Sequence, residues 1–421
     1  MRNILIVGAG GVGAALAKKC AQHNDVFGDI VVVARRPQNA KEAADAARPY
    51  MRDGARRLVS ESLDAKDADA VAGILRRYNL RAVLNAASPH VNLSAMDGAL
   101  AAGAQYLDSA VYEKEGAATV AEPPWYAAGE WKKRAAFAAA GCTGVLSVGF
   151  DPGAVNVFCA HARDNLFDEI DAMDIMDVND GAHGKFFATN FDAETNLREI
   201  REEVIFWENG FRRAAPHTRA LSFDFPGIGA RRVFLTGHEE LHSLPFFIDA
   251  PRVRFWMGFS DRYLRVFGVL NKLGLLSPAP VRVENESVAP IKMIKALLPP
   301  PQSLAASYRG EICIGVLVRG VKDGKRRAVF VYSTLSHERA FADIGAQAIS
   351  YSTAVPLAVA ARLVLTGEWR ANALVHAEEL DPAPFLKLMP QMGIGWATRE
   401  EAPDIDPQIT VYDEHNPPVE L

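Results

Sequence analysis

The sequence predicts a two-domain α/β protein. The expected architecture is an N-terminal doubly wound parallel sheet followed by a second α+β domain with a largely antiparallel sheet. Three observations carry this. Short apolar strands alternate with helical stretches over the first 150 residues, the rhythm of a parallel sheet covered by helices on both faces. From about residue 170 to residue 333 the strand-like runs lengthen and alternate, with few helices between them. A glycine-rich turn, GAGGVG, joins the first strand to the first helix.

The first strand is Ile4 to Val7, and the helical pattern after the turn runs to about Gln22. In that context the glycines have separate tasks, which make this a Rossmann dinucleotide site. Gly8 makes the tight turn, Gly10 lets backbone approach a pyrophosphate, and Gly13 lets the helix pack on the strand. Gly11 and Val12 sit at the helix N-terminus, where free N–H groups and a partial positive charge suit phosphates. The second strand, Ile30 to Val33, ends at Ala34-Arg35-Arg36. An NAD site places an acid there for the ribose 2′-OH, whereas arginine matches a 2′-phosphate. The expected cofactor is therefore NADPH. The plainer alternatives are a glycine-rich turn without a ligand and two solvated arginines. A third strand, Leu58 to Leu63, leads to Asp64, near where an adenine ring would lie. The fourth, Ala82 to Asn85, runs into Ala86-Ala87-Ser88, small residues that would let the nicotinamide ribose come close. Leu93 to Ala102 and residues 127–140 read as helices, Gln105 to Asp108 and Gly144 to Val148 as strands.

The chain of 421 residues is 49% hydrophobic and 23% charged, with a formal charge of −5. That composition disfavours a general nucleic-acid binder, which is usually basic. None of the 4 cysteines forms a CxxC pair or a zinc-spaced cluster, so no metal is expected and the thiols read as reduced. No signal peptide is expected at the N-terminus. The apolar run from Ala354 to Leu365 is interrupted and short of the roughly 20 residues a bilayer needs. A cytoplasmic protein is the expectation.

At Gly149-Phe150-Asp151-Pro152-Gly153 the regular rhythm stops. The boundaries that follow are a cofactor domain over residues 1–150 and a substrate and dimerisation domain over 151–342. A helical segment over 343–398 packs back on the first domain, and a tail covers 399–421. Expected strands include Phe223 to Phe225, Val253 to Phe259, Ile312 to Arg319 and Ala328 to Thr334. Lys322-Asp323-Gly324-Lys325 is a hairpin turn. Pro356 predicts a kink in the long C-terminal helix, and the Pro-rich, acidic tail is expected to be partly ordered at best.

Several segments resemble the saccharopine dehydrogenase superfamily: GAGGVG, LNAASPHVNLSAMDGALAAGAQYLDSA, GFDPGAVNVF and AISYSTAVPLAVAARLVLTGEW with EELDPAPFL. The middle segments DVNDGAHGKFFATNFDAETNLREI, VIFWENG, FDFPGIG, GHEELHSL and RVRFWMGF are similar to its carboxynorspermidine dehydrogenases. The likeness runs from Asn3 to about Trp396. It implies NADPH-dependent reductive coupling of L-aspartate 4-semialdehyde with a diamine, putrescine or 1,3-diaminopropane. The product would be carboxyspermidine or carboxynorspermidine, a polyamine precursor. It also implies a homodimer with small-molecule substrates, acting on neither nucleic acid nor membrane.

Such coupling needs a neutral attacking amine, a proton donor for loss of water, and an imine held over the nicotinamide. His183 and His238 are the candidates for proton work, since histidine titrates near working pH. Asp151, after the last strand of the first domain, could orient the imine or a proton-carrying water, or could simply make the interdomain turn. A diamine's distal ammonium wants carboxylates, for which Asp177, Asp180, Glu239 and Glu240 are the candidates. Arg198 is the candidate clamp for the substrate carboxylate, with Asn190 helping to orient it. Trp207 and Trp256 could cover a diamine by cation–π contact or could belong to the core. Two other functions compete: a saccharopine reductase-like enzyme joining a semialdehyde to an amino acid, and an NADP-binding sensor or scaffold without chemistry.

Overall fold

The computed structural model describes residues 2–114 and 128–420. The first sheet has seven strands, all parallel, in the order Leu374–His376, Gly144–Leu146, Gln105–Asp108, Ala82–Asn85, Ile4–Val7, Ile30–Ala34 and Leu58–Ser62. The central strand is apolar throughout because both its faces are covered; none of its four residues is more than 3% exposed. Alternation divides its side chains. Ile4 and Ile6 pack with Leu16 and Cys20 of helix Gly11–Gln22. Leu5 and Val7 pack with Val71 and Met96 from helices Ala68–Arg77 and Asn92–Ala102 on the other side. All four cysteines are buried and free. The helix expected over residues 127–140 is two short ones, Ala128–Trp131 and Arg134–Ala140, and residue 127 lies outside the described residues.

The second sheet runs in the order Ala397–Glu401, Lys325–Ser336, Glu311–Lys322, Glu169–Asn179, Arg252–Gly258, Gly229–Thr236, Arg219–Phe225 and Thr410–Val411. Val204–Glu208 and Phe211–Ala214 join it as a side branch on Arg252–Gly258. Pairing is antiparallel except between Glu169–Asn179 and Arg252–Gly258, which run parallel. The hairpin turn is as the Asp-Gly pair predicts: Asp323 and Gly324 have φ of +50° and +70°.

Two expectations change, for the C-terminal helical stretch and for the tail. The C-terminal helical stretch is two helices, His337–Ile344 and Ala348–Thr366, broken at Gly345 with φ +64°. The second continues through Pro356 as one element. It is long and apolar enough to cross a membrane, yet 78% of its apolar window is buried in the protein, so it reads as a core helix. The tail is also paired: residues 397–401 lie along Ala328 to Tyr332, and Thr410–Val411 pairs with Arg219 and Ala220. Its acids find basic partners, Asp406 on Arg319 and Glu400 on Arg327. Trp256 and Trp207 take the core alternative. Trp256 is fully buried, and its indole donates to Asp174 at 2.8 Å, beside the Arg254 and Arg319 guanidiniums that hold the same carboxylate. Trp207 is half-buried and donates to the Ala250 carbonyl at 3.1 Å, as part of the packing.

Candidate active site

The turn after the first strand has the shape a pyrophosphate needs. Gly8 has φ +101°, and a Cβ there would stand 2.7 Å from the Ala87 nitrogen. A Cβ on Gly13 would fall 2.1 Å from the Gly8 carbonyl oxygen, so only glycine lets the helix sit this close. A Cβ on Gly10 would meet nothing within 4 Å, leaving its backbone open beside the N-terminus of the helix at Gly11 and Val12. Ala34 is half-buried, and Arg35 and Arg36 are exposed at the end of the second strand. Asp64 is exposed and accepts the Lys66 N–H at 3.1 Å. Asn85 is buried and engaged: its Nδ2 donates to Asn92 at 2.8 Å and its Oδ1 accepts the Ala87 N–H at 3.1 Å. It therefore shapes the turn through Ala86 and Ser88. The residues present fit an NADP dinucleotide.

A cluster of buried ionisable groups centres on His238, where the chain leaves strand Gly229–Thr236. Its ring lies flat on Phe255, centroids 3.9 Å apart and planes 7° apart. Nδ1 is 2.5 Å from Glu240 Oε2, and Nε2 is 3.3 Å from Glu199 Oε1. Asp151, Asp177 and Glu239 are near enough to feel the charge of the same imidazole. Sheet geometry explains Asp177: Ile175 is in register with Phe255, and Asp177, two residues on, shares their face. Asp174, an odd number of positions away, points to the opposite face and its arginines. Asp151 arrives from the loop before helix Ala154–His161.

Burial and the neighbouring charges shift Asp151, Asp177, Glu199, Glu239 and His238. Burial pulls His238 down, but Glu240, Glu199 and Asp151 pull it further up, and it ends well above the ordinary range for histidine. Burial raises Asp177 to about 7, with Glu240 and Glu199 adding to it against the His238 charge. Burial likewise raises Glu239 to about 8, against the Val111 N–H that its Oε2 accepts at 2.8 Å. Asp151 is raised well above the usual carboxylate range, by burial first and by Asp177 next. The result is a carboxyl-rich cage around one imidazolium, in which Asp151, Asp177 and Glu239 hold a proton more readily than ordinary carboxyls, and a cationic ligand would draw them into the charged form.

Other candidates stand elsewhere. Asp180 is 41% exposed in a surface ion pair with Arg231, which answers its charge outside the cage. Arg198 is buried and paired with Glu113 at 2.6 Å, so its charge is already met by a protein carboxylate. His183 is half-buried beyond Tyr308, edge-on to that ring at 5.3 Å; burial lowers its pKa, and Arg262 and Lys185 add to this. Asn190 accepts from the Tyr308 hydroxyl at 2.7 Å. Tyr308 also takes the Asn179 amide at 2.9 Å and stacks on His337 at 3.6 Å, forming a second polar centre that feels the Asp177 charge.

Glu199, Glu113 and Tyr308 are the residues that sequence reasoning did not select. For Glu199 a signal existed: one step along a helix turns a side chain by about 100°, so Arg198 and Glu199 could not both face one pocket.

Family models match both domains: the saccharopine dehydrogenase NADP binding domain over residues 4–145 and the saccharopine dehydrogenase C-terminal domain over residues 149–394. The chain belongs to the saccharopine dehydrogenase family. Like others of that family it is an NADPH-dependent oxidoreductase, and its first domain is the one that binds NADP. Among curated relatives, this saccharopine dehydrogenase family member is 43% identical to carboxynorspermidine synthase of Vibrio alginolyticus, over 95% of this chain and 97% of the relative. It is 43% identical to carboxynorspermidine synthase of Vibrio cholerae, over 97% of this chain and 99% of the relative. It is 37% identical to carboxyaminopropylagmatine dehydrogenase of a Synechocystis strain, over 94% and 97%. The fold matches saccharopine dehydrogenase (L-Glu forming) of Saccharomyces cerevisiae with a TM-score of 0.69 at 15% identity, over 96% of this chain and 100% of that one.

Proposed function

We propose that this enzyme joins L-aspartate 4-semialdehyde to a diamine, putrescine or 1,3-diaminopropane, by NADPH-dependent reductive coupling in polyamine biosynthesis. The carboxylate cage around His238 is the observation that carries the reading, with the two carboxynorspermidine synthases in support. A diamine is a dication, and Asp177 and Glu239 can take its distal ammonium. When bound, NADPH supplies the hydride. The residues around it do the rest. His238, charged between Glu240 and Glu199, gives a proton to the departing carbinolamine hydroxyl. Asp151, at the end of the cofactor domain, accepts a proton from the attacking ammonium so that a neutral amine meets the aldehyde. Burial excludes water from this exchange. A saccharopine reductase-like reaction would bring a second carboxylate into a site already crowded with five, which disfavours it.

The test is NADPH oxidation by purified protein with aspartate semialdehyde and each amine, including controls lacking one substrate. Oxidation only with both partners is the expected result, and its absence would overturn the reading. Agmatine belongs in the series because of the Synechocystis relative. We also propose a cytoplasmic homodimer. Four free buried cysteines support a reducing compartment, and exposed Leu273, Met293 and Leu297 offer an apolar surface. Sedimentation measures the oligomeric state.

A further inference from the structure

The loop after strand Gln105–Asp108 is a strap between the two domains, with its contacts alternating. Toward the cofactor domain, the Ala110 carbonyl accepts the Asn92 amide at 2.7 Å, the Tyr112 N–H donates to Glu130 at 2.6 Å, and the Glu113 carbonyl lies 2.7 Å from His90 Nδ1. Toward the substrate domain, the Val111 N–H donates to Glu239 at 2.8 Å and the Glu113 carboxylate meets Arg198 Nη1 at 2.6 Å. The two outward contacts land beside the two residues that matter most. Glu239 follows His238, and Arg198 precedes Glu199. Arg198 and Glu113 are 8% and 9% exposed, so neither can exchange its partner for water without reopening the interface.

We propose that Glu113 and Arg198 are positioning residues for the coupling reaction: their ion pair fixes helix Ala193–Arg201 against the cofactor domain and thereby keeps Glu199 on His238. This rests on the coupling reading above, and it replaces the idea that Arg198 clamps the substrate's carboxylate. A clamp would need an unanswered guanidinium directed at the ligand. Here the guanidinium answers a carboxylate carried on the strap, and the residue one step along the helix reaches the imidazole at 3.3 Å. The strap thus sets the distance between the end of the parallel sheet, where the nicotinamide belongs, and the proton donor.

The experiment compares Arg198→Gln, Glu113→Gln, the double variant and Arg198→Lys, each first shown to bind NADPH by fluorescence. Both single Gln variants should lower kcat by a similar factor, about ten- to a hundred-fold. The double should be no worse, Arg198→Lys should recover part, and the KM for semialdehyde should stay within about two-fold. A large rise in that KM for Arg198→Gln, with kcat preserved and Glu113→Gln silent, would restore the clamp and overturn the proposal. A readout independent of activity is the His238 titration in histidine-labelled protein, assigned with His238→Gln. The titratable groups whose charge couples to that ring are Asp151, Asp177, Glu199, Glu239, Glu240 and His242. Removing the Arg198 charge alone would raise the titration, whereas withdrawal of Glu199 lowers it, so the direction is diagnostic. A His238 midpoint that fails to fall in Arg198→Gln overturns the positioning role even if the wild-type protein couples none of the substrates offered.

Discussion

His238 lies flat on Phe255 at 3.9 Å, and this fixes which carboxylate each ring nitrogen meets. Stacking opposes exchange of Nδ1 for Nε2, so Glu240 holds Nδ1 at 2.5 Å and Nε2, more loosely met by Glu199 at 3.3 Å, is the nitrogen left to donate. His238→Gln should reduce kcat by about 10²–10⁴-fold, the usual contribution of a general acid. Glu240→Gln should act through the pH profile. With that carboxylate gone the imidazolium loses its strongest support, and the alkaline limb of kcat/KM should move to lower pH. An unmoved limb would show that a different group donates the proton.

Asp177 and Glu239 make a separable prediction. Asp177→Asn or Glu239→Gln should raise the KM for the diamine about ten-fold while leaving NADPH affinity unchanged. Steady-state kinetics with the diamine varied, and fluorescence titration of NADPH, distinguish the two effects. Equal weakening of both ligands would mean that the carboxylates serve the fold rather than the amine.

The same groups make stability depend on pH. Their folded pKa values, about 7 for Asp177 and about 8 for Glu239, lie above those of unfolded carboxyls near 4. Each therefore contributes stability that is fully present below the unfolded value and lost as pH rises through the folded one. His238 adds in the same direction, being raised above its own unfolded value. Without amine, Tm should fall as pH rises from about 5 to about 8, and His238 carries the fall further. Putrescine, a dication that answers the exposed charge, should raise Tm more at pH 9 than at pH 7. Calorimetry at both pH values checks this, and a larger putrescine shift at pH 7 would contradict it.

Arg35 and Arg36 stand exposed past Ala34, where a ribose phosphate would meet them. Arg35→Ala should raise the KM for NADPH by about ten-fold or more and leave that for NADH nearly unchanged. Initial rates with both cofactors decide it, and equal effects on the two would remove the phosphate role.

The cofactor half was legible because its signals are local. A strand, three spaced glycines and two arginines lie within the first 36 residues. The cage was legible only in part. Asp151, Asp177, His238, Glu239 and Glu240 could be selected as ionisable groups in polar segments, but which of them converge depends on sheet register. Asp174 and Asp177 look alike in sequence and face opposite sides of one strand. Arg198 stands out in the sequence because a guanidinium suits a carboxylate ligand, and nothing local reveals that Glu113, 85 positions earlier, already answers it. The partners of Trp256 are hidden in the same way, since Arg254 and Arg319 reach Asp174 from two different strands. The tail's order comes from long-range strand pairing, which leaves little trace in a Pro-rich, acidic composition.

The strand Leu374–His376 closes the first sheet alongside Gly144–Leu146. During synthesis, then, the cofactor domain cannot be finished when its own stretch of chain leaves the ribosome. Its outer strand waits until the whole substrate domain has been made, and until then Gly144–Leu146 is an open edge able to pair with a neighbouring nascent chain. A fragment ending near residue 150 would carry that edge permanently. The two domains are written in sequence, but the first is completed last.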